Sequence, residues 1–386
     1  MSEMLNYSVL FPNKVFFGEN SMNDIAKILT YEQAKRVCIL TGQGMWEAGF
    51  INNAIRLIEK NDCAVQVYRQ VPPEPTIDDI KKIHVDIKTF EPDIIVAIGG
   101  GSVMDTAKIM SLTLKNPSLL YDLQLLEADD YTTIKTVMIP TTSGTGAEAT
   151  ANAIVLFPEE DLKIGIIHQQ FTPNYVILDP KLTVSLPKKL TASTGIDALC
   201  HALESYISLK NNPFSELMAM EAIRLICGNI KQAYHRGNDM EARLNMQLGA
   251  FYAGMCLATS STVAVHALSY PLGGKFKIPH GVSNAILLPH VMEMNKDAIR
   301  EQLKKVAPYM LHEKRYEENN APEKVIEYLY ELMEDLGIPK TLTSFGVRDY
   351  DIDFLVRNAA KVTRLLDQNP KKLSSKDIYE VYNRIL

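Results

Sequence analysis

From Arg36 onward the chain alternates short apolar runs rich in β-branched residues with segments of helical period. RVCILTG leads to FINNAIRLIEK, CAVQVYRQV leads to a helical stretch from Ile77 to about Ile87, and DIIVAIGGGS opens a helix from Val103 to Leu114. TVMIP and YVILDP are two further strand candidates. A run such as DIIVAI, apolar at successive positions, suits a strand buried on both faces, so the alternation predicts a mainly parallel sheet covered by helices. Ahead of it, YSVLF and KVFFG, separated by Pro12 and Asn13, predict a hairpin at the sheet's edge.

After LDPKLTVSLPKK the rhythm changes to long helical segments: LTASTGIDALCHALESYISL, ELMAMEAIRLICGNI, ARLNMQLGAFYAGMCLA, PEKVIEYLYELMEDLG and DIDFLVRNAAKV. The boundary is expected near Pro187, dividing an α/β domain (1–187) from an all-helical domain (188–386). A length of 386 residues agrees with two cores. A substrate pocket is expected between them.

Composition narrows the classes. Hydrophobic residues make up 46% and charged residues 22%, as in ordinary water-soluble folds. The net charge of -6, with no basic block, argues against a nucleic-acid partner. No leader pattern opens the sequence and no run is long enough to span a membrane, so the expected compartment is the cytoplasm. Five cysteines without a CxxC pair support neither a disulfide framework nor a thiolate zinc site, and Cys38 within VCIL reads as core.

Two loops carry binding chemistry. In IIVAIGGGSVMDTAK, Gly99, Gly100, Gly101 and Ser102 stand where a buried strand gives way to a helix. Glycines there let the backbone approach a phosphate, and free N–H groups at the helix start attract the anion. The same residues also fit a tight turn with Ser102 as N-cap and Asp105 closing a capping box. In IPTTSGTGAEAT, Thr141, Thr142, Ser143 and Thr145 alternate with glycines to give a hydroxyl-lined loop suited to pyrophosphate and ribose.

A second constellation suits a metal. Asp197 and His201, four residues apart in GIDALCHALE, project from one face of a helix. Downstream, VHALSYPLGGKFKIPHG supplies His266 and, in an expected loop, His280. Three imidazoles and a carboxylate suit iron, zinc or a similar divalent ion and leave room for a substrate oxygen.

GGGSVMDTAK, PTTSGTGAE, GIDALCHALES and VHALSYPLGGKFKIPHG, in this order and along the whole length, resemble the iron-containing (group III) alcohol dehydrogenase family. The resemblance implies a dehydroquinate-synthase-like architecture, a small alcohol or aldehyde as substrate, and a homodimer. It places the metal on Asp197, His201, His266 and His280. It places diphosphate contacts on Gly100, Gly101 and Ser102 with Asp105, Thr141, Thr142 and Thr145 nearby, and Lys163 beside the nicotinamide ribose. Leu257, Asn152 and Tyr270 match pocket-lining positions.

Two departures from the family pattern stand out. Many members read HxxxHPLG where this chain has His266 and then Tyr270, a phenol whose ordinary pKa near 10 suits it less to proton relay than imidazole. NAD-preferring relatives carry an aspartate where this chain has Gly42, in LTGQGMW. The missing carboxylate removes repulsion of a 2′-phosphate and favours NADP(H) over NAD(H), although no arginine or lysine sits in that loop. The expected activity is reversible hydride transfer between nicotinamide and a small aldehyde, with Fe2+ or Zn2+ polarising the oxygen. The alternatives are a dehydroquinate-synthase-type lyase that recycles bound NAD, which calls for a dense cationic site not found here, and a non-catalytic dinucleotide or metal sensor.

Overall fold

The computed structural model describes residues 8–126, 130–160, 162–312 and 316–386. The chain divides into two compact units, Leu10–Ser185 and one built on Leu186–Leu386.

In the first unit, strands β1 (Lys14–Phe17), β2 (Arg36–Thr41), β3 (Ala64–Tyr68), β4 (Ile94–Gly99), β5 (Lys135–Pro140) and β8 (Tyr175–Leu178) form one parallel sheet in the order β1-β8-β5-β4-β2-β3. Helices α1 (Ile25–Tyr31), α2 (Gln43–Glu47), α3 (Asn52–Glu59), α4 (Ile77–Ile87) and α5 (Gly101–Thr113) accompany it. Alternate residues of each strand feed opposite faces. Cys38, Leu40, Ile95 and Ala97 pack with Ile80 and Ile83 of α4 and Met104 of α5, while Val37, Ile39, Ile94 and Val96 pack with Ile25 and Ile28 of α1 and Ala54 and Ile58 of α3. Every residue of β4 is buried, as its unbroken apolar run implies.

Three local expectations are corrected. Ser8–Phe11 take no strand conformation, and β1 pairs in parallel with β8 rather than folding into a hairpin. Pro12 cannot donate to a ladder, and Pro-Asn lacks the positive-φ preference of two-residue hairpin turns, whereas Val176, Ile177 and Leu178 offer a buried partner. The second correction concerns α5, whose N-cap is Gly100 with no side-chain cap, so Ser102 and Asp105 make no capping box. A further pair, β6 (Asn152–Phe157) and β7 (Leu162–Ile167), forms a separate antiparallel ribbon that the apolar pattern did not single out.

The second unit is helical among the described residues: α6 (Lys188–Ile207), α7 (Pro213–His235), α8 (Met240–Thr259), α9 (Ala264–Phe276), α10 (His280–Asn295), α11 (Arg300–Leu311), α12 (Ala321–Asp335), α13 (Ile352–Ala359), α14 (Thr363–Leu366) and α15 (Ser375–Arg384). One apolar core joins them. Helix α6 is buried without interruption from Gly195 to Ile207, as a central helix of the core must be. His280 is the third correction: it opens α10 behind Pro279 instead of lying in a loop. Proline at the N-cap supplies an extended φ/ψ and needs no N–H there. All five cysteines are free and buried, Cys38 among them. No single described helix is long and apolar enough to cross a membrane.

Candidate metal centre and dinucleotide loops

Three helices of the second unit bring the expected ligands together. Asp197 and His201 lie one turn apart on α6, His266 lies on α9, and His280 begins α10. One ligand atom from each falls within 4.8 Å of every other. Asp197 Oδ1 is 4.0 Å from His201 Nε2 and 3.7 Å from His280 Nε2. The His201 and His266 rings stack at 4.8 Å between centroids, and His266 and His280 meet edge to face at 5.1 Å.

The donor set is electrostatically prepared for a cation. Burial favours the uncharged Asp197 carboxyl, but His201, His280, His266 and the Asn284 amide outweigh it and hold the group below its ordinary pKa. Burial pushes His266 down to about 4, which keeps its imidazole neutral and its lone pair available. Both effects present electron pairs to a divalent ion, and the residues therefore fit the metal that the family resemblance implies.

Two supporting residues were missed in the sequence. Glu204, fully buried one turn beyond His201, approaches His266 Nδ1 to 2.5 Å and accepts the Val265 N–H at 2.6 Å. This carboxyl group orients the ring so that Nε2 faces the cage, the arrangement that supports histidine ligands in metal proteins generally. Burial lifts its carboxyl to about 8, opposed by backbone N–H groups. Asn284, one turn after His280, donates from Nδ2 to Asp197 Oδ1 at 2.8 Å and stands 3.2 Å from both His266 Nε2 and His280 Nε2. Tyr270 is 38% exposed, its ring 6.4 Å from that of His280.

Close approach of α10 to α6 depends on Gly281. A Cβ there would lie 2.4 Å from the Ser193 carbonyl oxygen, a backbone atom that cannot move aside alone. Gly281→Ala is expected to push the two helices apart at a cost of about 1–3 kcal/mol. A lower thermal midpoint together with weaker metal binding checks this, and an unchanged metal affinity would refute it.

In the first unit the two loops also converge. Gly99 is in register with Pro140 at the carboxyl ends of β4 and β5, and the Thr141 N–H donates to the Gly99 carbonyl at 2.9 Å. A Cβ on Gly101 would fall 2.9 Å from both Thr145 Oγ1 and Cγ2, and one on Gly100 would sit 3.5 Å from Thr142 Oγ1. Glycine at these positions therefore keeps open a cradle walled by hydroxyls at the start of α5, which fits a diphosphate. Gly42 lies at the carboxyl end of β2, the strand beside β4.

Other side chains around this loop have partners within the unit. The Ser102 hydroxyl accepts the Glu74 N–H at 3.0 Å. Asp105 Oδ2 accepts the Ile154 N–H at 3.1 Å, and Asp105 Oδ1 lies 3.7 Å from the fully buried Lys108 Nζ. Lys108 donates to the Asn152 carbonyl at 2.7 Å and to Thr150 Oγ1 at 3.2 Å, tying α5 to β6. The side chain of Lys163 lies outside the described residues.

Glycine- and threonine-rich loops at the carboxyl ends of parallel strands, with a histidine-carboxylate cluster in the same chain, agree with a metal-dependent oxidoreductase. The family profile described as "Iron-containing alcohol dehydrogenase" matches residues 12–180, and "Fe-containing alcohol dehydrogenase family, C-terminal" matches residues 191–386. The chain is 32% identical to "Long-chain-alcohol dehydrogenase 1" of Geobacillus thermodenitrificans, covering 97% of this chain and 95% of that protein. It is 31% identical to "1,3-propanediol dehydrogenase" of Klebsiella pneumoniae, with 98% of each covered. The solved structure of a 1,3-propanediol oxidoreductase superposes with a TM-score of 0.94 at 31% identity, over 99% of this chain and 100% of that one. The protein belongs to the iron-containing alcohol dehydrogenase family and is an oxidoreductase of the alcohol dehydrogenase class.

Proposed function

We propose that this protein interconverts a small alcohol and its aldehyde with NADP(H) in preference to NAD(H), using Fe2+ held by Asp197, His201, His266 and His280; Zn2+ suits the same donors. The observation that carries the reading is the convergence of those four ligand atoms within 4.8 Å. When bound, the ion supplies Lewis acidity to the substrate oxygen and the nicotinamide supplies or accepts the hydride.

The chain's own residues provide the setting. Asp197 contributes the one negative charge, and imidazole ligands, which bind a metal in their neutral form, leave most of a dication's charge for the substrate. Glu204 fixes His266 in the tautomer that presents Nε2. Gly99, Gly100 and Gly101, with Ser102, Thr141, Thr142 and Thr145, receive the diphosphate, and Lys163 is assigned to the nicotinamide ribose. Asp105 is a brace beneath this loop, since its carboxylate is engaged by Ile154 and Lys108. Gly42 leaves the adenosine ribose site without a carboxylate to repel a 2′-phosphate. Tyr270 offers a hydroxyl near His280 where relatives offer imidazole, and with Leu257 and Asn152 it is assigned to the substrate pocket.

The reading divides the work near Pro187, with dinucleotide binding before it and metal and substrate binding after it. Composition supports a cytoplasmic protein, and the family resemblance supports a homodimer.

A steady-state screen of short aldehydes, run with NADH and NADPH after chelation and return of Fe2+ or Zn2+, tests the reading. Absorbance at 340 nm is expected to fall stoichiometrically with aldehyde, faster with NADPH, and only with metal restored. Turnover that persists in the chelated protein, or cofactor that is bound without net consumption on any aldehyde, would rule the proposal out.

A further inference from the structure

The loop after β2 offers no cation for the 2′-phosphate that Gly42 leaves room for, yet the sheet brings one to its side. β3 runs parallel to β2 with Leu40 opposite Tyr68, so Arg69 emerges from the same carboxyl edge as Thr41 and Gly42. The next turn of chain is fastened to that edge: the Val71 N–H donates to the Thr41 carbonyl at 3.2 Å, and a Cβ on Gly42 would sit 3.6 Å from the Val71 carbonyl oxygen. The Arg69 guanidinium lies over the ring of Trp46 on α2, 5.1 Å from its centroid. Among the described residues Arg69 is exposed and engages no carboxylate. The one acid of α2, Glu47, is held by Gln43 Nε2 at 2.6 Å.

Ligands of parallel sheets bind beyond the carboxyl ends of the strands, and the adenosine ribose falls at the strand next to the one that carries the glycine loop. Here β4 carries that loop, and β2, its neighbour away from β5, carries Gly42. We propose that Arg69 is the specificity-determining residue for the 2′-phosphate of NADP(H), held by Trp46 with its fork of N–H donors uncommitted. A guanidinium lying over an indole face keeps its N–H donors available for bidentate contact with phosphate oxygens, and the cation–π contact reduces the rotamer freedom lost on binding. The inference rests on the NADP(H) reading above and deepens it.

Trp46 is the chain's single tryptophan, so its emission reports on this contact directly. The full-length protein is titrated with adenosine 2′,5′-bisphosphate and with 5′-AMP, two fragments that need neither metal nor turnover, and Kd is read from that emission or from calorimetry. The parent is expected to prefer the bisphosphate. Arg69→Gln is expected to lose about 10- to 100-fold in bisphosphate affinity while 5′-AMP affinity changes less than about twofold, and Arg69→Lys to fall between. The parent's thermal midpoint is expected in all variants, which separates recognition from folding. A parent that binds both fragments equally overturns the NADP(H) reading itself. A parent preference that survives intact in Arg69→Gln overturns the assignment to Arg69 alone.

Discussion

Replacing His266 with alanine is expected to remove bound metal and alcohol dehydrogenase activity together. His266 is almost completely buried, lacks charge because burial holds its pKa near 4, and is the imidazole that Glu204 orients. Alanine removes one of four donors and leaves the Glu204 carboxyl facing a cavity, so the remaining three ligands lose both a bond and a support. The Lewis-acid contribution of several kcal/mol corresponds to a fall of about 10³-fold or more in kcat. Glu204→Gln forms the graded member of the series: it keeps the cage and weakens metal binding by about 10- to 100-fold. Elemental analysis after gel filtration and the 340 nm assay check both variants. Metal lost from His266→Ala with turnover intact would sink the assignment of the cage to catalysis.

The second large effect lies under the glycine loop between β4 and α5. Lys108 has no exposed surface, and burial pulls its pKa down against the opposing attraction of Asp105 and Glu148. Lys108→Met fills the space but leaves those carboxylates buried without their cation, which costs about 3–5 kcal/mol. Glu148, which burial already pushes up to about 7, is the group placed to take up a proton in response. Adding Asp105→Asn is expected to recover part of the loss, because the asparagine oxygen still accepts from Ile154 while the surplus charge disappears. Urea titrations followed by Trp46 emission measure the series. A single variant as stable as the parent would show that the lysine's charge contributes nothing there.

The convergence of Asp197, His201, His266 and His280 was legible because its signals are local: two of them one helical turn apart, and two histidines in an apolar, glycine-bounded segment. The strand-to-helix turn at GGGS was legible for the same reason, as an unbroken apolar strand running into glycines. Glu204 does not stand out in the sequence because HALE reads as ordinary helix; its signal is a second carboxylate on α6, one turn beyond His201. Asn284 stays hidden while His280 is read as a loop residue, since only a helix that starts at His280 sets residues 280 and 284 on one face. Arg69 lay beyond reach because strand register, a long-range property, carries it to the loop that lacks a cation. Asp105 and Lys108 form a local pair, but the inward turn of their charges depends on β6, a strand the apolar pattern did not single out.

The hairpin failed for a related reason. A short apolar run looks the same whether its partner is adjacent or remote, and β1 takes its partner from residues 175–178. Asp179, just past that partner, receives the Asn20 and Met22 N–H groups at 3.3 and 3.1 Å, and the Ser21 hydroxyl donates to the Leu178 carbonyl at 3.1 Å, so the return of the chain is stapled at its end. During synthesis from the N-terminus, then, β1 waits for most of its unit to leave the ribosome before it can dock. Only four residues long and opening on Lys14, it gives a growing aggregate little edge to extend while it waits. Closing so long a loop costs only logarithmically more than closing a short one, so the delay burdens the rate of assembly far more than the stability of the finished sheet.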